Sequence, residues 1–269
     1  MDGQDRVSEC IDVTRPNVAR IYDYLLGGKD NFAEDRVAAS RLIKAIPDVA
    51  AIARDNRSFL GRVVRYLAIE GGIRQFLDLG SGLPTQANVH ELAQGVAPDA
   101  RVVYVDNDPM VASHGRALLA SGDHVGMVLG DLRDPARILQ HPGVLGFLDL
   151  AQPLALLCTS TLHFVADEAG PPHMIMAAYR DHLAPGSYLA ITHGTLEDDP
   201  AGEGSAAEAV YHQASSRLHR RSLAEVLRFF EGFELIEPGL TWITEWRPEP
   251  LTEPVGRQRS MRGGVGRKA

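Results

Sequence analysis

A glycine turn that follows an acid is the first segment whose residue types indicate chemistry. It lies in FLDLGSGLPT, residues 76–85. Gly80 and Gly82 can adopt dihedral angles closed to other residues, which lets a ligand approach the backbone. A dinucleotide-binding turn would carry glycine where this sequence has Thr85, and Pro84 removes a backbone N–H that a phosphate cradle would use. The GKS or GKT of a Walker loop is also absent from the sequence, so the turn matches neither phosphate-binding pattern.

Three acids end three successive predicted strands. Asp78 would repel a pyrophosphate but suits a ligand that carries an ammonium group and a sulfonium. Asp106, with Asn107 beside it, can accept hydrogen bonds from both ribose hydroxyls, and Asp131 can accept one from the 6-amino group of adenine while Leu132 N–H donates to a ring nitrogen. Acids at strand ends often cap the next helix instead. Three acids and a GxG turn on successive strands nevertheless favour one ligand, S-adenosylmethionine.

The elements that would position these residues are strands alternating with helices from Arg74 onward. Runs such as VVYV and LALL are apolar without alternation, as in strands covered on both faces. Five such units predict a doubly wound parallel sheet, an α/β fold. Near the end, FELIEPG and LTWITEW predict a hairpin that adds an antiparallel last strand. Three helices are predicted before residue 71, the third from about residue 55.

The predicted domain organisation has three parts. Residues 1–70 form an N-terminal helical extension or lid, residues 71–250 form the main domain, and residues 251–269 are a basic tail rich in glycine, predicted to be disordered. An alternative for the tail is a weak contact with RNA or an acidic partner.

The composition excludes several classes of protein. The net charge of -8 argues against a nucleic-acid-binding face on the body of the protein. No apolar run approaches the length of a membrane span, and no secretory signal is indicated, so a cytoplasmic location is expected. Oligomeric state does not follow from the sequence.

Long segments resemble class I methyltransferases, and more closely the S-adenosyl methyltransferase family of unknown substrate that is found mostly in actinobacteria. The resemblance covers roughly residues 12 to 250, with RPNVARIYDYLLGGKDNFAEDR, ARDNRSFLGRVVRYL, GIRQFLDLGSGLPTQANVHELA and RVVYVDNDPMV among its motifs. It implies a Rossmann-like methyltransferase fold that binds S-adenosyl-L-methionine. The predicted cofactor-binding residues are Asp78, Gly80, Ser81, Gly82, Thr85, Asp106, Asn107, Asp131, Leu132 and Thr159.

In this architecture the end of the fourth strand faces the methyl group. His163 is the candidate catalytic base or orienting group, with Ser160 and His193 as candidate substrate contacts. A base is needed only if the acceptor is protonated and weakly acidic, and His163 can alternatively pack against the following helix. The histidines show no HxxxH or HxH spacing, so no metal site is predicted.

The loop LLGGKDNF lies between the first two predicted helices and could cover the carboxyl edge of the sheet. Glycine at the end of one helix and Asp30 or Asn31 at the start of the next is a common capping arrangement. Capping leaves Tyr24 and Lys29 unexplained, so Tyr24, Lys29 and Asn31 are predicted to contact cofactor or substrate.

The sequence favours a methyltransferase that acts on a small molecule. A non-catalytic protein that binds or senses S-adenosylmethionine is the alternative, because the acceptor half of the site is less clear than the cofactor half. Thr85 and Asp78 disfavour a nicotinamide oxidoreductase, and the acidic body disfavours a protein or RNA methyltransferase.

Overall fold

The computed structural model describes residues 11–84, 87–119, 123–197, 199, 202–248 and 261–269. The helices are α1 Val18–Leu25, α2 Ala33–Ala45, α3 Val49–Ile69, α4 Val89–Gln94, α5 Pro109–Leu119, α6 Pro135–Leu139, α7 Pro142–Leu145, α8 Pro172–His182, α9 Glu203–Tyr211 and α10 Leu223–Arg228. The strands are β1 Gln75–Leu79, β2 Arg101–Asp106, β3 Val125–Leu129, β4 Ala155–Thr159, β5 Tyr188–His193, β6 Phe233–Leu235, β7 Thr241–Trp242 and β8 Arg262–Lys268.

One sheet runs in the order β3-β2-β1-β4-β5-β8-β6, and β7 also pairs with β8. The first five strands of this order are parallel, and β8 is antiparallel to β5. The prediction of a mostly parallel sheet with an antiparallel last strand is confirmed. The strand order reverses between β1 and β4, which is where ligands bind in open α/β sheets.

The predicted terminal hairpin is wrong in its pairing. The segments at β6 and β7 are strands, but both pair with β8 in antiparallel register. The prediction that residues 251–269 are a disordered tail is also wrong for residues 262–268, which form β8 between β5 and β6. Residues 251–260 lie outside the described part of the chain.

Close packing explains why a glycine-rich segment forms this strand. A Cβ on Gly263 would lie 2.9 Å from Phe59 and Ile243 side-chain atoms, and one on Gly266 would lie 2.8 Å from Phe233 Cβ. Larger residues would therefore push α3 and β6 away from β8. In the sequence these glycines suggest a flexible tail. In the fold they allow neighbouring elements to pack closely against β8.

The sheet is covered on both faces by apolar clusters. One includes Phe59, Leu67 and Trp246 on the side of α3 and α4. The other includes Tyr179 and Phe230 on the side of α8 and α10. Strands β1 and β5 are buried along their whole length, in accordance with their apolar sequences.

The N-terminal helices are held together by a buried carboxylate, Asp35. It pairs with Arg20 Nε at 2.8 Å and accepts hydrogen bonds from the backbone N–H groups of Asn17 and Phe32, each at 2.8 Å. Both charged side chains are almost fully buried, and the ion pair with its backbone hydrogen bonds compensates the buried charges. These contacts fix α1 against α2.

Helix α3 begins at Val49, earlier than the sequence pattern predicted. The earlier start places Asn56 and Arg57 within the helix, near the edge of the sheet that carries the glycine turn. Ile21, Leu42 and Ala53 pack in one cluster with Ala207 and Tyr211 of α9. We call residues 17–57 together with residues 203–211 the cap. The proposed boundary at residue 70 stays a prediction.

In the described part of the chain, no helix is long and apolar enough to cross a membrane.

Candidate functional site

A cavity of about 620 Å³ lies between the carboxyl edge of the sheet and the cap. Its floor is polar and comes from the ends of β1 to β4. The predicted residues that line it are Gly80, Ser81, Gly82, Asp106, Asn107, Asp131, Leu132, Thr159, Ser160 and His163. The structure therefore brings most of the predicted cofactor site to one place. Thr85 lies outside the described residues.

The glycine turn is shaped by a contact with the next part of the floor. Gly80 and Gly82 have φ of +70° and +66°. A Cβ on Gly80 would lie 2.3 Å from Thr161 Cγ2, and the Thr161 hydroxyl lies 3.1 Å from Leu79 O. Position 80 therefore requires glycine both for its backbone conformation and for the close approach of Thr161.

Asp106 is bonded to the glycine turn rather than to a helix. Its carboxylate accepts from Gly82 N–H at 2.9 Å and from Asp108 N–H at 3.0 Å. Burial raises its pKa to about 6, although these backbone donors oppose the rise. Asp108 caps α5, accepting from Met110 N–H at 2.7 Å. The capping alternative for Asp106 is therefore wrong, and its carboxylate lies on the cavity wall.

Asp131 is likewise not the helix cap, because Asp134 accepts from Arg137 N–H at the start of α6. The Asp131 carboxylate is held by Arg133, whose Nε lies 2.9 Å from both of its oxygens. Partial burial alone would raise the pKa of Asp131. The hydrogen bonds and positive charge of Arg133 outweigh this effect, so the pKa lies below its ordinary value. Asp131 thus presents an ionised carboxylate at the end of β3.

Asp78 lies beneath the turn instead of on the large cavity's wall. It is 4 % exposed and lines a separate cavity of about 20 Å³ with Ser81, Gly82 and Arg57. Burial raises the pKa of Asp78 to about 7, and the positive charge of Arg57 opposes this rise. The predicted contact between Asp78 and a cofactor ammonium stays a prediction.

A buried hydrogen-bond chain joins the end of β4 to the cap. Ser160 N–H donates to Thr192 Oγ1 at 2.8 Å, and the Thr192 hydroxyl donates to Asn56 Oδ1 at 2.7 Å. Asn56 Nδ2 then donates to the Tyr22 hydroxyl at 3.0 Å, which donates to Ala53 O at 3.0 Å. Tyr22 and Asn56 line the cavity. Neither was predicted from the sequence, because no sequence motif indicates how their helices pack against the sheet.

His163 lies on the cavity wall near Ser160 and is 7 % exposed. Its ring packs edge-on against Phe164, at 4.5 Å between centroids, and against His193, at 5.4 Å. Nδ1 is buried and has no hydrogen-bond partner among the described residues. Burial, with nearby His193 and the charge of Arg221, holds the pKa of His163 well below its ordinary value, so the imidazole is neutral.

His193 lies behind His163 and does not line the cavity. Its Nδ1 lies 2.7 Å from Gly194 O and therefore carries a proton, since a carbonyl only accepts. Nε2 then accepts from Arg221 Nη1 at 3.2 Å. Burial lowers the pKa of His193 to about 4. The positive charge of Arg221 also lowers it, and the hydrogen bond to Gly194 O opposes the decrease. The position of His193, fully buried behind the His163 ring, does not fit the predicted role as a substrate contact.

The three residues predicted from the LLGGKDNF loop do not line the cavity. Lys29 is exposed, and Tyr24 packs against the apolar cluster of the cap. Asn31 is buried and donates to Asp23 Oδ2 at 2.8 Å and to Gly28 O at 3.1 Å. The loop is thus a structural connection, and Tyr22, one turn before its start, takes the position on the cavity wall.

The roof of the cavity is largely apolar. It is formed by Val18, Leu25, Leu42, Ile46, Val49, Ile52, Ala53, Ala207, Tyr211 and Leu218. On the α9 side of the roof, Arg220 is paired with Asp199 at 2.6 Å and with Glu208 at 3.0 Å. A small apolar molecule fits this half better than an ionic one. In the described part of the chain, no cluster of His, Cys, Asp and Glu could hold a metal ion.

Comparisons with solved structures give the same fold and similar sequences. A "putative methyltransferase" from Thermobifida fusca is 44% identical, with a TM-score of 0.89 over 96% of this chain and 97% of that one. A DUF574 family protein from Streptomyces avermitilis is 41% identical, with a TM-score of 0.91 over 96% of this chain and 100% of that one. No curated protein matches the sequence significantly.

More distant structures show the fold alone. Human N-acetylserotonin methyltransferase, solved in complex with S-adenosylmethionine, is 15% identical, with a TM-score of 0.51 over 94% of this chain and 63% of that one. The fold is thus that of class I methyltransferases, as predicted. The profile of one family, described as S-adenosyl methyltransferase, matches residues 4–269. The chain belongs to the S-adenosyl methyltransferase family and is a methyltransferase.

Proposed function

We propose that the protein transfers a methyl group from S-adenosylmethionine to a small-molecule acceptor bound beneath the cap. The observation that carries this proposal is the open cavity beside residues 159–164. Had the cap buried this edge, an acceptor would have no room, and a non-catalytic binding or sensing protein would be the better interpretation. The polar floor suits the cofactor and the apolar roof suits the body of an acceptor.

The hydrogen-bonding groups on the floor of the cavity fit S-adenosylmethionine. Each carboxylate oxygen of Asp106 accepts one backbone N–H and retains lone pairs for a ribose hydroxyl. Asp131 offers a carboxylate to the adenine amino group, and Gly82, which has open space where a Cβ would lie, allows close approach of the ligand to the turn. When bound, S-adenosylmethionine supplies a methyl group already activated by its sulfonium.

His163 is the proposed base on the acceptor side. Its imidazole lines the cavity and is neutral, so the ring can accept the proton that an acceptor hydroxyl or amine loses. His193 and Phe164 hold the ring in place. The chain therefore aligns the acceptor, removes its proton and excludes water, and alignment alone can contribute about 7 to 11 kcal/mol.

A comparison of melting temperatures with three ligands tests the ligand class. S-adenosylmethionine and S-adenosylhomocysteine are expected to raise the melting temperature, because they bind the folded protein. NADH is expected to have no effect, because the turn lacks the dinucleotide pattern. An increase with NADH and none with S-adenosylhomocysteine would contradict the proposal and favour an oxidoreductase.

A further inference from the structure

The order of the strands gives the direction in which the proposed ligand lies. Asp131 lies two residues beyond β3 and Asp106 ends β2, and the sheet continues from β2 to β1. A ligand with its adenine at Asp131 and its ribose at Asp106 therefore places its amino-acid end over β1, at the glycine turn. That end carries a carboxylate as well as an ammonium group, and none of the acids of the floor can bind a carboxylate.

Three arginines and no lysine line the large cavity among the described residues. Arg133 is held on Asp131 at the β3 end. Arg220 is held by Asp199 and Glu208 on the cap side. Arg57 is the one of the three that also lines the small cavity beneath the turn, together with Asp78, Ser81 and Gly82.

The position of Arg57 is fixed by its surroundings. Its neighbour Asn56 is bonded to both Tyr22 and Thr192, which anchors this part of α3 to β5 and α1. Arg57 Nη2 donates to Ala87 O at 3.0 Å, in the segment that follows the glycine turn. A planar guanidinium can bind a backbone carbonyl and a carboxylate at the same time.

We propose that Arg57 binds the α-carboxylate at the amino-acid end of the cofactor. Its charge lies close enough to Asp78 to oppose the effect of burial on that carboxyl. Arg57 lines the large cavity near Ser81 and Gly82 of the glycine turn, so it offers a cation where the carboxylate of the amino-acid end would lie. This inference rests on the proposed function, since it assigns a residue to the same cofactor.

Calorimetric titration with two probes tests the assignment. S-adenosylhomocysteine carries the amino-acid end, and 5′-methylthioadenosine lacks it but keeps the adenine, ribose and thioether. Arg57→Gln is expected to weaken S-adenosylhomocysteine binding roughly 10- to 100-fold, the range for a lost hydrogen bond to a charged group, and to leave 5′-methylthioadenosine binding unchanged. Arg54→Gln is the matched control, because Arg54 is an exposed arginine on the same helix.

The outcomes are distinguishable. Unchanged S-adenosylhomocysteine affinity in Arg57→Gln, or an equal loss for both probes, would overturn the assignment while leaving the proposed cofactor in place. Binding of neither probe by the wild-type protein would overturn the proposed function and this inference with it. Retained 5′-methylthioadenosine binding also shows that the variant is folded.

Discussion

At the scale of single residues, the floor of the site contains buried carboxyl groups whose ionisation opposes folding. Asp78 is the clearest, because burial raises its pKa to about 7 from an ordinary value of 3.8. Between these values the folded protein binds more protons than the unfolded chain. The stability contributed by protonated Asp78 is therefore fully present below pH 4 and is lost as the pH rises through 7.

Asp78→Asn removes this dependence. We expect the free energy of unfolding of the ligand-free variant, relative to wild type, to increase by about 2 kcal/mol between pH 5 and pH 8, because the wild-type protein alone pays to ionise the buried group. Urea denaturation at the two pH values measures the difference. A difference that is independent of pH would contradict the buried position of Asp78.

His163 gives a second prediction at this scale, since a proton acceptor must be neutral at working pH. Burial, His193 and Arg221 lower its pKa, so its imidazole is expected to stay uncharged from pH 8 to pH 6. Ring-proton NMR, with His163→Gln to assign the signal, checks this. A titration midpoint at or above 6.5 would contradict the environment described for His163.

The residues that could be predicted from sequence share one property: they lie at the end of a strand or within two residues after it. Asp106, Asp131 and Gly80 follow β-rich runs, so the chain itself indicates the edge of the sheet on which they meet. Tyr22, Asn56 and Arg57 come from helices whose docking depends on packing far away in sequence. The pattern therefore predicted the floor of the cavity. For the cap it selected Tyr24 and Lys29, whereas Tyr22, Asn56 and Arg57 line the cavity.

At the scale of elements, β8 decides whether the sheet is complete. It pairs with three strands, β5, β6 and β7, and Val265 at its centre is fully buried. This segment was predicted to be part of a disordered tail because residues 262–268 contain three glycines and three basic residues. The glycines are needed because neighbouring side chains pack directly against β8. Packing of this kind produces no periodic pattern in the sequence.

Val265→Asp is expected to destabilise the protein by more than about 3 kcal/mol, because it places an unpaired charge inside the sheet. Arg267→Asp is the control, since Arg267 lies on the same strand with its side chain exposed. Thermal or urea denaturation of both variants measures the contrast. Equal, small effects in the two variants would mean that residues 262–268 are not part of the folded sheet.

At the scale of the whole molecule, the cavity exists because two separate segments of the chain cover one edge of the sheet. The N-terminal helices and α9 share the apolar cluster around Ile21, Leu42 and Tyr211. Asn17 Nδ2 at the start of α1 donates to Asp108 Oδ2, two residues after Asp106, so the cap is attached to the floor as well as to itself. This arrangement brings a polar floor and an apolar roof together in one cavity, which suits the proposed transfer from a polar cofactor to a less polar acceptor.

The measurement that tests this account most directly is calorimetric titration of S-adenosylmethionine and S-adenosylhomocysteine into wild-type protein, Asp106→Ala and Glu234→Ala. Glu234 is an exposed carboxylate on β6, at the other end of the sheet from β2. We predict binding by wild type and Glu234→Ala, and binding at least about tenfold weaker in Asp106→Ala, which loses the acceptor for the ribose and for Gly82 N–H. Absence of binding to the wild-type protein, or equal affinity in all three proteins, would contradict the assignment of the cavity to the cofactor.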